Sequence, residues 1–189
     1  MTHINMNGTE AGFSEVFDLD IVLALTKSND EIGVVLRIHF ILESFIELWC
    51  NKITKNEDFF EFRPRPNFSL KLEIAKKLGL NAEVVRFIKT FNKIRNGIAH
   101  KKRNAISKNN IDSLRQALDS MPSLASDVIA EMGDSEWSVQ IDQRRYDWKS
   151  SNMSNINRLI FLYFIFSIKA MDIFEKELAE KVISLEVGG

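Results

Sequence analysis

The chain has 189 residues, of which 45% are hydrophobic and 27% charged, enough for one well-packed core but short of two. Its formal net charge of -1 excludes a whole-protein attraction to nucleic acid, so any such binding must be local. Cys50 is the only cysteine, which excludes an intrachain disulfide and argues against a cysteine-based zinc site.

Residues 1 to 12 read as a polar, glycine-containing tail, and 13 to 189 as one helical domain. The stretch MTHINMNGTEAG has neither the basic nor the apolar region of a secretory signal, so the expected location is cytoplasmic. A first helix is predicted over 14–27. Ser28-Asn29-Asp30 then offers a cap for a long second helix to about residue 53, where Val34, Ile38, Ile41, Leu42, Phe45 and Trp49 recur at helical spacing. Cys50 falls on this apolar helix and reads as a buried structural thiol. Residues 54–67 make a connection, with a short extended piece around Phe59 to Phe62. A third helix (SLKLEIAKKL) closes at Gly79 as a left-handed C-cap, and Asn81 caps a fourth over 82–101. A fifth helix is expected over 109–120, stopping at Pro122, and a sixth over 123–132. Residues 133–150 are the least helical, and Trp137-Ser-Val-Gln-Ile-Asp alternates like a short strand. The last helix spans about 153–185; its greasiest run, Leu159 to Ile168, is too short for a membrane span of about 18 residues. The expected fold class is all-α, a single bundle of five to seven helices with the second, fourth and last as its core.

The most informative segment is Arg95-Asn96-Gly97-Ile98-Ala99-His100. It lies in the most basic part of the chain, where Arg86, Lys89, Lys93, Arg95, Lys101, Lys102 and Arg103 follow one another without an acidic residue. At about 100° per residue, Phe87, Phe91, Ile94 and Ile98 form the core stripe of the fourth helix. Lys89, Lys93, Asn96 and His100 share the opposite side, and Arg95 lies between. Asn96 and His100 are an i,i+4 pair, placing the amide within reach of the imidazole. A histidine beside fixed guanidinium charge suits phosphodiester chemistry without a metal. Gly97, mid-helix, costs about 1 kcal/mol against alanine, which a close neighbour such as a second subunit would explain.

Arg95-Asn96-x-x-x-His100 resembles the R-polar-x(3–5)-H signature of the HEPN superfamily. Upstream, Phe68-Ser69-Leu70-Lys71-Leu72, Ala75 and Leu78-Gly79-Leu80 are similar to a pattern of bacterial HEPN-like and MltR-like (mannitol repressor) proteins. The likeness covers roughly residues 30 to 103. It implies a HEPN-like helical domain and a metal-independent endoribonuclease site composed across a homodimer. Arg95, Asn96 and His100 would be catalytic, and the product would carry a 2′,3′-cyclic phosphate. Single-stranded RNA would be the substrate, in a toxin–antitoxin or phage-defence setting with an antitoxin as protein partner. Lys89, Lys93, Lys101, Lys102 and Arg103 would bind RNA phosphates. HepT-like toxins tend to carry a tyrosine two residues after the histidine; Lys102 stands there, which removes the usual nucleotide-transfer target. MltR-like relatives are regulators, so the second reading is a non-catalytic module that binds protein or RNA.

A plainer alternative has Asn96 and His100 tying the fourth helix to its neighbour while Arg95 neutralises Glu43 or Glu47. His39 and Glu43 are also i,i+4 and read as a surface pair, short of a metal site. Lys101, Lys102 and Arg103 also suit a helix C-terminus, where they complement the dipole. Phe59, Phe60 and Trp137 either stack bases or pack over the bundle ends. The run from Phe161 to Phe166 reads as core or a subunit interface. Without a P-loop, dinucleotide fingerprint, HExxH or nucleophile elbow, no metal and no cofactor are expected.

Overall fold

Helix α1 (Leu19–Thr26) leads into α2 (Glu31–Thr54), α3 (Phe68–Lys77), α4 (Ala82–Ala99) and α5 (Lys108–Asp119). A hairpin of β1 (Ser138–Ile141) and β2 (Arg144–Asp147) follows, and α6 (Asn155–Val187) closes the chain. This computed structural model describes residues 17, 19–28, 30–100, 106–122, 138–141, 144–148 and 153–187. Among the described residues the fold is helical, as the spacing predicts, apart from the antiparallel hairpin, where Val139 pairs with Tyr146 and Ile141 with Arg144. The alternation after Trp137 is therefore a real strand with a partner. The predicted tail and the predicted helix over 123–132 lie outside the described residues.

Local chemistry explains most helix ends. Asn67 accepts a hydrogen bond from the Leu70 amide at 3.0 Å, and Ser107 accepts one from Asn110 at 3.3 Å, each satisfying a donor that the first helical turn leaves open. Asn81 caps α4 through the Glu83 and Val84 amides. Helix α3 ends in a Schellman motif: Leu80 N–H bonds Ala75 O at 2.9 Å, Gly79 N–H bonds Lys76 O at 3.1 Å, and Gly79 sits at φ 89°. The predicted left-handed cap is there. Asp30, by contrast, takes the N-cap backbone position of α2 without a side-chain cap bond.

The predicted extended piece at Phe59 to Phe62 is instead a series of turns. Asn56 Oδ1 accepts from the Asp58 amide at 3.0 Å, and Glu61 N–H bonds Asp58 O at 2.8 Å. Such an Asx turn offers the backbone a local partner that competes with extension.

The core is built by α2, α4 and α6. Val34, Val35, Ile38, Leu42, Phe45, Ile46, Trp49 and Cys50 of α2 are buried, as are Phe87, Ile88, Phe91 and Ile94 of α4 and Leu159, Leu162, Tyr163 and Phe166 of α6. The three helices meet at Phe166, whose ring stacks on Phe87 with centroids 4.1 Å apart and planes at 9°. The same ring meets Phe45 edge-on at 6.4 Å. The greasy run of α6 is thus core. Burial pushes the Cys50 thiol up to about 12 and the Tyr163 phenol above its usual range, so Cys50 stays an unreactive thiol at neutral pH. Among the described residues no helix is long and apolar enough to cross a membrane. Phe166→Ala should lower unfolding free energy by about 3–5 kcal/mol, because it empties the point where three helices touch. Urea unfolding measures this, and a loss under about 1 kcal/mol would contradict the packing described.

Candidate functional site

Helix α4 positions the motif. Its apolar stripe of Phe87, Phe91 and Ile94 is fully buried, which fixes the helix's rotation. Lys89, Lys93, Asn96 and His100 consequently share the exposed face, with Ile98 partly buried and Arg95 half-buried at the boundary. The expected geometry of the helix holds. His100 ends α4, with its backbone N–H bonded to Asn96 O at 3.0 Å and its side chain exposed.

Three details differ from the sequence reading. Asn96 Oδ1 accepts from Arg95 Nη1 at 3.1 Å, so its amide turns to the arginine rather than to the imidazole. The two groups are neighbours in sequence, and the long arginine stem wraps across the angle between them. Second, the basic run is not free of acid in space. Lys89 pairs with Glu73 of α3 at 2.5 Å, holding that carboxyl below its ordinary range, and Arg86 lies 3.6 Å from Glu83. Lys93 keeps its charge unpaired among the described residues. Third, Arg95 does not neutralise Glu43 or Glu47. Both carboxylates belong to Lys71, which is 8% exposed and reaches Glu43 at 2.6 Å and Glu47 at the next turn. Lys101, Lys102 and Arg103 lie outside the described residues.

Lys71 anchors a second polar cluster. Burial alone would lower its pKa, but the hydrogen bonds it donates to Glu43 and Glu47 outweigh that and raise it. Its ammonium lies 5.9 Å from the Phe60 ring centroid, and Phe60 is buried beneath it. Phe60 therefore packs under the connection rather than presenting a face to a base; Phe59 meets it edge-on at 5.0 Å. A cleft of about 80 Å³ opens here between Glu47, Asn51, Glu61, Arg65 and Lys71. Trp137 lies outside the described residues. Trp148 is covered by Phe161 at 5.8 Å and by the Arg158 guanidinium at 5.9 Å.

His39 is the largest surprise. It is 3% exposed rather than a surface residue, with its ring 4.3 Å from that of Phe68. Burial lowers its pKa, the Arg95 guanidinium lowers it further, and Glu43 and a hydrogen bond with Asn92 act in the opposite sense. The signal was in the sequence, since residue 39 lies four from Val35 and three from Leu42, on the buried face of α2. The expected surface pair with Glu43 fails for that reason. Lys169 was missed similarly. It is 7% exposed, on the stripe with Phe166 and Ile173, and donates to Leu118 O at 3.1 Å and Met121 O at 3.4 Å. There it caps the negative end of α5.

Among the described residues no group of three or more His, Cys, Asp or Glu is placed to hold a metal ion. Compared with known proteins, the chain matches no family model, no curated protein and no solved structure.

Two consequences are measurable. Because His39 titrates lower in the folded chain than its ordinary 6.5, the unfolded state binds a proton first on acidification. The stability His39 contributes is complete above 6.5 and is lost as pH falls from there toward the folded value, with a slope of at most about 1.4 kcal/mol per pH unit. Melting curves of wild type and His39→Gln between pH 7.5 and 5 should diverge least at the acid end; parallel curves would contradict a buried neutral imidazole. Lys71→Met should cost about 2 kcal/mol, because Glu43 is left half-buried without its cation while the more exposed Glu47 can rehydrate. Adding Glu43→Gln should recover part of that loss in chemical unfolding.

Proposed function

We propose that the chain is a HEPN-type endoribonuclease that acts without a metal ion on single-stranded RNA, as a homodimer. The observation that carries this reading is the placement of Arg95, Asn96 and His100 on one end of α4. There Asn96 steadies the guanidinium through a 3.1 Å hydrogen bond, His100 stands exposed, and Lys93 adds positive charge one turn away. Likeness to the RNxxxH signature supplies the chemistry. Arg95 holds the scissile phosphate and stabilises its developing charge. His100 moves a proton from the ribose 2′-OH, or to the leaving 5′-oxygen. The 2′-OH attacks phosphorus, the bond to the 5′-oxygen breaks, and a 2′,3′-cyclic phosphate remains. Asn96 acts through Arg95 rather than through His100.

Among the described residues nothing hydrogen-bonds the His100 imidazole, Arg95 included. A second copy across a two-fold axis would complete the pair, with Gly97 allowing close approach. The same observation favours a second reading, a regulatory module of MltR-like type that binds RNA or protein without cutting. In either setting, toxin–antitoxin or phage defence, a protein partner would cover this face.

Incubation with single-stranded RNA in EDTA separates the readings. Arg95→Ala and His100→Ala should each lower cleavage by about 10²-fold or more, and Asn96→Ala by less. Lys93→Ala, Lys101→Ala, Lys102→Ala and Arg103→Ala should weaken binding increasingly as salt rises. Lys89→Ala should do less, since Glu73 already shares its charge. Cleavage that survives His100→Ala, or that chelation abolishes, would remove the ribonuclease reading, as would a monomer at tens of micromolar remove the composite site.

A further inference from the structure

His39 and Arg95 come from different helices, and each carries a buried nitrogen without a hydrogen-bond partner among the described residues: Nε2 of His39 and Nε of Arg95. Leaving such a group unsatisfied costs about 1–3 kcal/mol, and the Arg95 charge acts on the His39 ring, so the two call for a common explanation. Asn92 and Arg95 are three residues apart on α4 and therefore face α2 together. The Asn92 side chain faces His39 from there and favours the protonated ring. A neutral ring that turns its Nδ1–H to the Asn92 oxygen presents Nε2 as an acceptor. An arginine Nε–H can only donate. The two orphaned atoms are complementary.

We infer that His39 is a positioning residue for Arg95: its Nε2 accepts the Arg95 Nε–H through one bridging water, and so fixes the guanidinium that the site presents. The stem donor is held from below by His39 and Nη1 is held by Asn96, leaving the rest of the planar fork for an anionic oxygen. The relation to a scissile phosphate rests on the ribonuclease reading; the His39–Arg95 bond itself does not.

The surroundings leave His39 with one charged partner on α4. Among the described residues the groups facing it are Arg95 and Asn92 from α4, Glu43 from its own helix and the uncharged Phe68 ring from α3. Glu43 is bound to Lys71 at 2.6 Å and so does not compete for the arginine. Protonation of His39 would abolish the acceptor and set a second cation beside the guanidinium, so the hold on Arg95 fails in acid.

The test is the exchange of the Arg95 Nε–H proton with solvent, followed by nuclear magnetic resonance in the full chain. It should be protected in wild type at pH 7.5 and should lose protection as His39 takes up its proton. His39→Gln, which keeps an acceptor near the Nε2 position, should retain protection. His39→Phe, which keeps a ring against Phe68 but has no acceptor, should exchange about tenfold faster or more. On RNA, His39→Phe should lower kcat/KM by up to about 10²-fold, the scale of a misplaced catalytic group, and His39→Gln should restore most of it. Equal protection, relative to free arginine at the same pH, in wild type and His39→Phe would overturn the inference. Protection without RNA cleavage would remove the ribonuclease reading and leave the His39–Arg95 bond standing.

Discussion

The stack of Phe166 on Phe87 sets the direction in which the rest of the molecule can face. A ring pair at 4.1 Å with nearly parallel planes tolerates little rotation, and Phe45 closes it from a third helix. With Phe87 held, the stripe through Phe91 and Ile94 points inward along the whole of α4. The positions about half a turn away have only solvent to face. Asn96, Lys93 and His100 are exposed for that reason, whatever chemistry they do. Arg95 sits on the border of the two regimes, which is why its stem nitrogen is buried while its Nη1 reaches an exposed amide.

Charge in this protein is distributed by burial rather than by sequence position. The stretch around the motif looks purely basic along the chain, yet Glu73 and Glu83 bring acid to it in space. The opposite happens in α2, where Glu43 and Glu47 one turn apart demand a cation and obtain Lys71 from α3 instead of the arginine. A lysine stem is apolar over most of its length, so Lys71 and Lys169 can lie in core stripes while their ammonium groups find oxygen. Lys71 finds carboxylates and Lys169 finds helix-terminal carbonyls, two different means of compensating a buried charge.

Much of the fold was legible because helical spacing, caps and breakers are local. Gly79 and Asn81 act on residues within one turn and were readable as caps, while the equally local caps Asn67 and Ser107 emerge only in the structure. Longer-range choices were not legible. Whether His39 is a solvent-facing partner of Glu43 or a ring packed on Phe68 depends on α3 lying across α2. Its spacing from Val35 and Leu42 already pointed inward, but a polar residue in a stripe reads equally well as the stripe's edge. The turns at residues 57–60 were missed for a related reason: two adjacent phenylalanines look extended, while the Asn56 side chain that bends the chain is a single polar group. In the candidate site, the helix face was readable and the hydrogen bonds were not. Asn96 can reach either neighbour, and only the rotamer of Arg95 decides between them.

Position at a helix C-terminus constrains any anion chemistry at the motif. The last carbonyls of α4 carry the negative end of the helix dipole, equivalent to about half an elementary charge, so the backbone there repels a phosphate. Helix N-termini attract anions through their free amides; this end offers none. Attraction must therefore come from side-chain cations, and Lys89 is already shared with Glu73. Arg95 and Lys93 remain on the described face, and Lys101, Lys102 and Arg103 follow in sequence. A guanidinium held rigid is worth more in this position than another flexible lysine, because its planar donors need no reordering when the anion arrives. A second copy would double the cations without adding another helix terminus of the attractive kind. In the proposed dimer, selectivity for a phosphodiester over a simple anion would then rest on the spacing between two arginines and two histidines, a distance that a subunit interface would set and one chain alone does not.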